Sequence, residues 1–431
     1  MDALIALLLI VLMLVVLGSG LWIGLSLLGV AVFAMQTFSS RPVGDAMVLT
    51  IWGSTSSWTL TALPLFLWMG EILFRTKLSE GMFRGLAPWL NRLPGRLLHI
   101  NVIGCAIFAA VSGSSAATCA TIGKITLPEL KKRGYPDHMA IGTLSGAGTL
   151  GLLIPPSIIM IVYGVAANVS IAKLFMAGVL PGILLALVFM GYIVVWALRH
   201  PDQVPAAEAS LGFWAKVYEG RHLIPVVLLI ALVLGSIYSG LATATEAAAL
   251  GVAGSLALAA VEGSLNWQRF VEGLSASVRV YCMIGLILAG ASFLTLAMGF
   301  IGLPRHLAEF IGGLGLSPFV LMLSLVLFFI VLGCFLDGIS MVVLTMAVLL
   351  PTVEKAGFDL VWFGIFIVLV VEMAQITPPV GFNLFVLQGL TQREITWLAR
   401  VSMPLFWLMV GFVLLVYFIP GIVTWLPSQM Q

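Results

Sequence analysis

The stretches "GTLGLLIPPSIIM" (Gly148–Met160) and "EMAQITPPVGFNLF" (Glu372–Phe385) each set two consecutive prolines in the middle of a long apolar run. Proline lacks an amide donor and restricts the residue before it, so each pair must end one helix and begin another. Pro155 and Pro378 lie 223 positions apart, as do Pro156 and Pro379. The same offset lays "LPELKKRGY" (Leu127–Tyr135) on "LPTVEKAGF" (Leu350–Phe358), and Pro181 on Pro404. Upstream, "SGLWIGLSLLGV" (Ser19–Val30) matches "SGLATATEAAALGV" (Ser239–Val252) with a two-residue slip. The chain therefore reads as two repeats, 19–200 and 239–420. A first helix at 1–18 precedes them, a linker and connecting helix at 201–238 join them, and a tail at 421–431 follows.

Composition sets the solvent. Of 431 residues, 61% are hydrophobic and 9% charged, where a soluble domain carries roughly a quarter charged residues. Apolar runs of about 20 residues recur, the mark of an all-α polytopic membrane protein in a lipid bilayer. A formal net charge of +2, with no basic-aromatic tract, gives no sign of nucleic-acid binding. The opening "MDALIALLLIVLMLVVLG" lacks a basic n-region and reads as a retained helix. Cys105, Cys119, Cys282 and Cys334 show no CxxC spacing and read as small buried hydrophobes. Neither a P-loop nor an HExxH motif is present, so nothing signals ATP hydrolysis or zinc chemistry.

Charge then sets topology. Arg75, Lys77, Arg84, Arg92 and Arg96 precede the run at 100–123, and Lys124, Lys131, Lys132 and Arg133 follow it. A crossing at 100–123 would put these clusters on opposite faces, against the positive-inside rule. A re-entrant hairpin resolves the conflict, with "AVSGSSAAT" (Ala110–Thr118) as its tip. Alternation then places 16 of the 20 Lys and Arg residues on the cytoplasmic side. The loop "KKRGYPD" is net basic and its counterpart "EKAGFD" net acidic, so the repeats are inverted. Residues 318–350 become a second hairpin entering from outside, and 139–165 and 360–388 become broken helices. Inverted repeats with interrupted helices point to a secondary transporter with its site near the midplane.

Each hairpin tip should meet a break. In the first repeat Ser112, Ser114 and Ser115 offer oxygens, with the backbone of Gly151, Ile154 and Pro156. The offset places Asp337 on Ser114, Ala374 on Gly151, Thr377 on Ile154 and Pro379 on Pro156. Oxygen donors with at most one carboxylate suit a hard monovalent cation, so Na⁺ is the candidate. Glu246, Asp337 and Glu372 fall inside apolar runs, where acids are costly and mark function. Asp337 reads as a ligand. Glu372 reads as a ligand, a proton carrier or a hydrogen-bond partner between helices, and Glu246 as a tie between helices. Ser115, Glu372, Gly381 and Asn383 are candidates for lining the solute cavity.

"AVSGSSAATCATIGKITLPELKKRGY", "GTLGLLIPPSIIMIVYG", "GCFLDGISMVVLTMAVLLPTV" and "QITPPVGFNLFVLQG" together resemble the large membrane subunit of TRAP (tripartite ATP-independent periplasmic) transporters, over essentially the whole chain. The resemblance implies an inverted-repeat, elevator-type transporter of a bacterial or archaeal inner membrane. It implies Na⁺-coupled uptake of a carboxylate-bearing solute, such as a C4-dicarboxylate, a sialic acid or another sugar acid. The implied partners are a periplasmic substrate-binding protein and a small four-helix membrane subunit, expected as a separate chain. One Na⁺ site carries over to Ser112, Ser114, Gly151, Ile154 and Pro156. The other carries over to Asp337, Gly338, Ala374, Thr377 and Pro379. The competing readings are a stand-alone Na⁺- or H⁺-coupled dicarboxylate symporter or antiporter, an ion channel and an intramembrane enzyme. No histidine lies in a core run and no nucleophile–base pair stands at useful spacing.

Overall fold

The computed structural model describes residues 2–430 apart from 77, 207–211, 303–305, 307, 308, 310–312, 314, 334, 335, 379 and 380. Cys334 and Pro379 thus lie outside the described residues, as do Lys77 and Arg305 of the charge count. The described residues form helices and no strand. Among the described residues, five helices are long and apolar enough to cross a bilayer outright: Ile171–Arg199, Phe213–Tyr238, Ala244–Val261, Trp267–Ile301 and Ile395–Phe418.

Two helix pairs are hairpins. Hairpin 1 has arms His99–Ser112 and Ser115–Lys132, and hairpin 2 has arms Pro318–Leu332 and Gly338–Lys355. The first arms hold 14 and 15 residues, about 21–23 Å at 1.5 Å per residue, short of the roughly 30 Å hydrocarbon core. Hairpin 1 leaves where it enters. The Tyr135 hydroxyl accepts the Leu97 amide at 3.1 Å, and the Arg133 guanidinium lies 5.4 Å from the Phe83 ring centre. Hairpin 2 does the same at its own base. Phe319 and Trp362 both meet the Tyr417 ring, at 5.4 and 6.4 Å between centres, and Phe358 stacks on Trp362.

The long helix Ile395–Phe418 fixes the relative direction of the hairpins. Just before its start, Arg393 pairs with Asp137, and Leu390 packs on Gly123, both beside the base of hairpin 1. Its far end carries Tyr417, at the base of hairpin 2. The hairpins therefore open toward opposite ends of one spanning helix, as inversion requires.

Broken helix 1 runs Asp137–Leu153 and Ile158–Ala166, bent by 41°, and broken helix 2 runs Leu360–Gln375 and Phe382–Thr391. Contacts are exchanged between repeats in matched pairs. Ile158–Ala166 packs on the second arm of hairpin 2, and Phe382–Thr391 on the second arm of hairpin 1. Ile395–Phe418 packs on the first half of broken helix 1, and Ile171–Arg199 on that of broken helix 2. Outside this unit, Ile23–Phe38 packs on Trp267–Ile301 and Ala244–Val261 on Ala62–Phe74. In the first of these pairs Gly290 lies against the Gly24 carbonyl, the small-residue approach common between membrane helices.

Two sequence expectations are corrected. Glu246 ties no helices together: it is exposed, and with Thr243 it forms a capping box at the start of Ala244–Val261. Its carboxylate accepts the Thr243 amide at 2.8 Å, because a free helix start needs an acceptor there. Cys105 and Cys119 are buried, but Cys282 is exposed on Trp267–Ile301.

The hairpin geometry is checked by labelling. In a cysteine-free background, Arg92→Cys and Lys132→Cys are expected to react with an impermeant maleimide from one face of the membrane, and Lys355→Cys from the other. Reaction of the first two from opposite faces would mean that residues 99–132 cross.

Candidate functional site

At the first tip Gly113 takes φ +60°, a left-handed turn that ends the first arm, with its amide on the Ala109 carbonyl at 3.1 Å. Ser114 caps the second arm, accepting the Ala117 amide at 3.4 Å. Ser112 Oγ bonds Thr118 Oγ1 at 2.7 Å and donates to the Ser114 carbonyl at 3.3 Å. The break supplies the other wall. Ile158 donates its amide to the Gly113 carbonyl at 3.3 Å, so the tip satisfies the start of the second half-helix. A Cβ on Gly151 would stand 2.6 Å from Ser115 Cα and 2.7 Å from the Ser114 carbonyl oxygen. Pro155 and Pro156, joined by a cis peptide, occupy the positions whose amides would bond the Gly151 and Leu152 carbonyls. Those carbonyls are left without α-helical donors at the helix end that abuts Ser114. Ile154 is half-buried against Gly182, and a Cβ on Gly113 would come within 2.9 Å of the Pro156 carbonyl oxygen. Ser112, Ser114, Ser115, Gly151, Ile154 and Pro156 are thus brought together.

At the second tip Asp337 caps its arm, accepting the amides of Ile339 at 3.1 Å and Ser340 at 3.4 Å and the Ser340 hydroxyl. Gly338 has Val371, Gln375 and Ile159 as its nearest neighbours, and Gly333 lies against Ala374. At the break, Thr377 donates its hydroxyl to the Ala374 carbonyl at 2.9 Å and its amide at 3.2 Å. Gly381 lies against the carbonyls of Gln375 and Thr377. Asp337, Gly338, Ala374 and Thr377 therefore share one locus. Ile158 on the first tip and Ile159 on the second put both tips at the same level.

Of the three readings of Glu372, the hydrogen bonds match a partner between helices, and its partners Ser115 and Leu152 were not foreseen. Glu372, 1% exposed, accepts the Ser115 hydroxyl and, at 3.1 Å, the Leu152 amide, both on the same oxygen. No Lys, Arg or His pairs with it among the described residues. Its other oxygen is buried without a partner, as are both polar atoms of the Asn383 amide. Thr118 and Gly70 were also missed. Thr118 holds Ser112, and Gly70 on Ala62–Phe74 sets that helix against the backbone of Val111 and Ser112. Cavities of about 930 and 630 Å³ lie at opposite ends of this region. The larger is lined by hydroxyls, among them Ser54, Thr59, Thr245 and Ser292, with Asn168. The smaller is lined by Lys124, Lys131, Asp137 and Arg393. Neither is lined by Ser115, Glu372, Gly381 or Asn383.

Comparison with known proteins identifies the family and the fold. The family described as "Tripartite ATP-independent periplasmic transporter, DctM component" matches residues 9–422. The C4-dicarboxylate TRAP transporter large permease protein DctM of Pseudomonas aeruginosa is 31% identical over 89% of this chain and 89% of its own length. The isethionate TRAP transporter permease protein DctMQ of Oleidesulfovibrio alaskensis is 32% identical over 94% of this chain and 64% of its own. Among solved structures, the YdaH transporter of Alcanivorax borkumensis superposes with a TM-score of 0.63 at 14% identity, covering 95% of this chain and 98% of that one.

The close approach at Gly151 generates a stability prediction. Gly151→Ala is expected to destabilise by about 1–3 kcal/mol, because the methyl group must displace tip backbone. Gly235→Ala, with open space around it, is expected to be neutral or stabilising by up to about 1 kcal/mol. Unfolding in detergent, followed by tryptophan fluorescence, compares the two.

Proposed function

The chain belongs to the DctM-component family of tripartite ATP-independent periplasmic transporters, and from that membership we propose that it is the large membrane subunit of a Na⁺-driven importer of carboxylate-bearing solutes. The single observation that carries the proposal is the meeting, at one level, of two hairpin tips with two helix breaks. Such breaks expose carbonyls and helix starts only where they line a protected site.

The donor set fits Na⁺. The first locus offers the hydroxyls of Ser112 and Ser114 and the backbone oxygens of Gly151, Ile154 and Pro156. Its glycine lets the end of the first half-helix come directly against the Ser114 carbonyl, where a Cβ would clash. The second offers Asp337, the Gly338 backbone, Ala374 and Thr377, with Pro379 as the family resemblance implies. One carboxylate between two sites suits monovalent ions, since Ca²⁺ sites gather several. Among the described residues no group of three His, Cys, Asp or Glu side chains forms.

The solute is a C4-dicarboxylate, a sialic acid or another sugar acid, delivered by a periplasmic binding protein, with a small four-helix subunit completing the membrane part in the inner membrane. Transport proceeds by an elevator motion. The unit of hairpins and broken helices slides against the pair Ile23–Phe38 with Trp267–Ile301 and its counterpart. This reading draws on the exchange of contacts within that unit, which makes it one body.

In liposomes holding the chain, its small subunit and the binding protein, an inward Na⁺ gradient is expected to drive uptake of a candidate acid. Ser114→Ala and Asp337→Ala are expected to lower that uptake at least about tenfold. Failure with every candidate acid would overturn the proposal, and uptake without binding protein would favour a stand-alone symporter. Thermal stability in NaCl against KCl at equal ionic strength supplies an independent check. A site at about 100 times its Kd adds roughly 2.7 kcal/mol, and either substitution should reduce the gain.

A further inference from the structure

Two hydrogen bonds join the repeats at the centre of the molecule. Both end on one carboxylate oxygen of Glu372, donated by the Ser115 hydroxyl and the Leu152 amide. Ser115 follows Ser114 at the first tip, and Leu152 lies between Gly151 and Ile154 at the first break. Glu372 stands two positions before Ala374 and five before Thr377 at the second break. The helix that carries it also meets the second tip, where Val371 and Gln375 lie against Gly338. One helix end therefore holds parts of both loci.

The symmetry of the fold does not demand this bridge. The 223-residue offset puts Thr149, Gly338 and Gln375 in the places of Glu372, Ser115 and Leu152. Thr149 turns its hydroxyl to its own helix, at 2.6 Å from the Gly146 carbonyl. Among the described residues, no carboxylate of the first repeat bonds the second tip in the same way. The bridge is present on one side, and it rests on a fully buried acid that accepts both donors.

We propose that Glu372 is a positioning residue that couples the two cation sites, so that ordering one tip favours ordering the other and the two cations bind cooperatively. The proposal rests on the Na⁺ reading above. A cation at the first site fixes Ser112–Ser115, and through Glu372 it fixes the last turn before Ala374. The second cation then meets less of the ordering cost, which is cooperativity carried by conformational entropy. The coupling is reciprocal, and typical couplings change affinity by about 5- to 150-fold.

Hydrogen exchange of the full-length protein, followed through a Na⁺ titration at constant ionic strength, reads both tips separately. In the unaltered chain, protection at 112–118 and 337–341 is expected to rise with one midpoint and a Hill coefficient approaching about 2. Ser115→Ala and Glu372→Ala are each expected to split the midpoints by at least about fivefold and lower the coefficient to about 1. Glu372→Gln keeps an oxygen for both donors and is expected to restore the single steep transition. If Glu372→Ala does not fold, Ser115→Ala removes the bond to the tip itself and leaves the Leu152 bond. A single midpoint that survives Ser115→Ala, or two midpoints already in the unaltered chain, overturns the coupling and leaves the Na⁺ reading standing. Absence of any Na⁺-specific protection in the unaltered chain overturns both.

Discussion

A backbone amide or carbonyl inside a bilayer has no water to turn to, and this constraint organises the molecule. Pro155–Pro156 and Pro378 each open a helix in mid-run, and Gly113 and Asp337 mark further helix ends at the same depth. Each of these ends is met by something. Ile158 gives its amide to Gly113, Ser114 and Asp337 cap their own arms, and Thr377 closes on Ala374. The tips and breaks are therefore partners by necessity. The proline positions leave the Gly151 and Leu152 carbonyls without α-helical donors beside Ser114.

Exchange between repeats gives this centre its rigidity. Each second half-helix lies on the other repeat's hairpin, and each spanning helix lies on the other repeat's broken helix. Each break meets the tip of its own repeat, and the exchanged helices pack around the pair. The pairs of small residues, Gly24 with Gly290 and Gly70 with the Ser112 backbone, let the surrounding helices approach closely. In lipid, where apolar burial drives little association between helices, such close packing is what holds them together.

Much of this was legible from particular residues. The prolines at a fixed offset announced the breaks, the basic clusters around 100–123 announced a hairpin, and the sign change between "KKRGYPD" and "EKAGFD" announced inversion. Glu246 was misread because an apolar run hides where its helix begins, and a capping glutamate looks buried when surrounded by alanine. Cys282 was misread because hydrophobicity does not tell a helix face turned to protein from one turned outward. Thr118 stands one turn from Ser114 and could have been found as the hydroxyl facing Ser112. Glu372 and Ser115 are 257 positions apart, and nothing in either sequence neighbourhood joins them.

The sequence by itself determined the class, the repeat, the inversion and the positions of the four interruptions. Each of these follows from local chemistry: apolar run length, missing proline amides and the sidedness of positive charge. The tertiary structure alone decided which half-helix lies on which hairpin, and that one buried carboxylate spans both loci. Partners across an inverted repeat are chosen by how two surfaces fit and where unpaired polar atoms remain. Those are properties of the packed whole, to which residues hundreds of positions apart contribute at once.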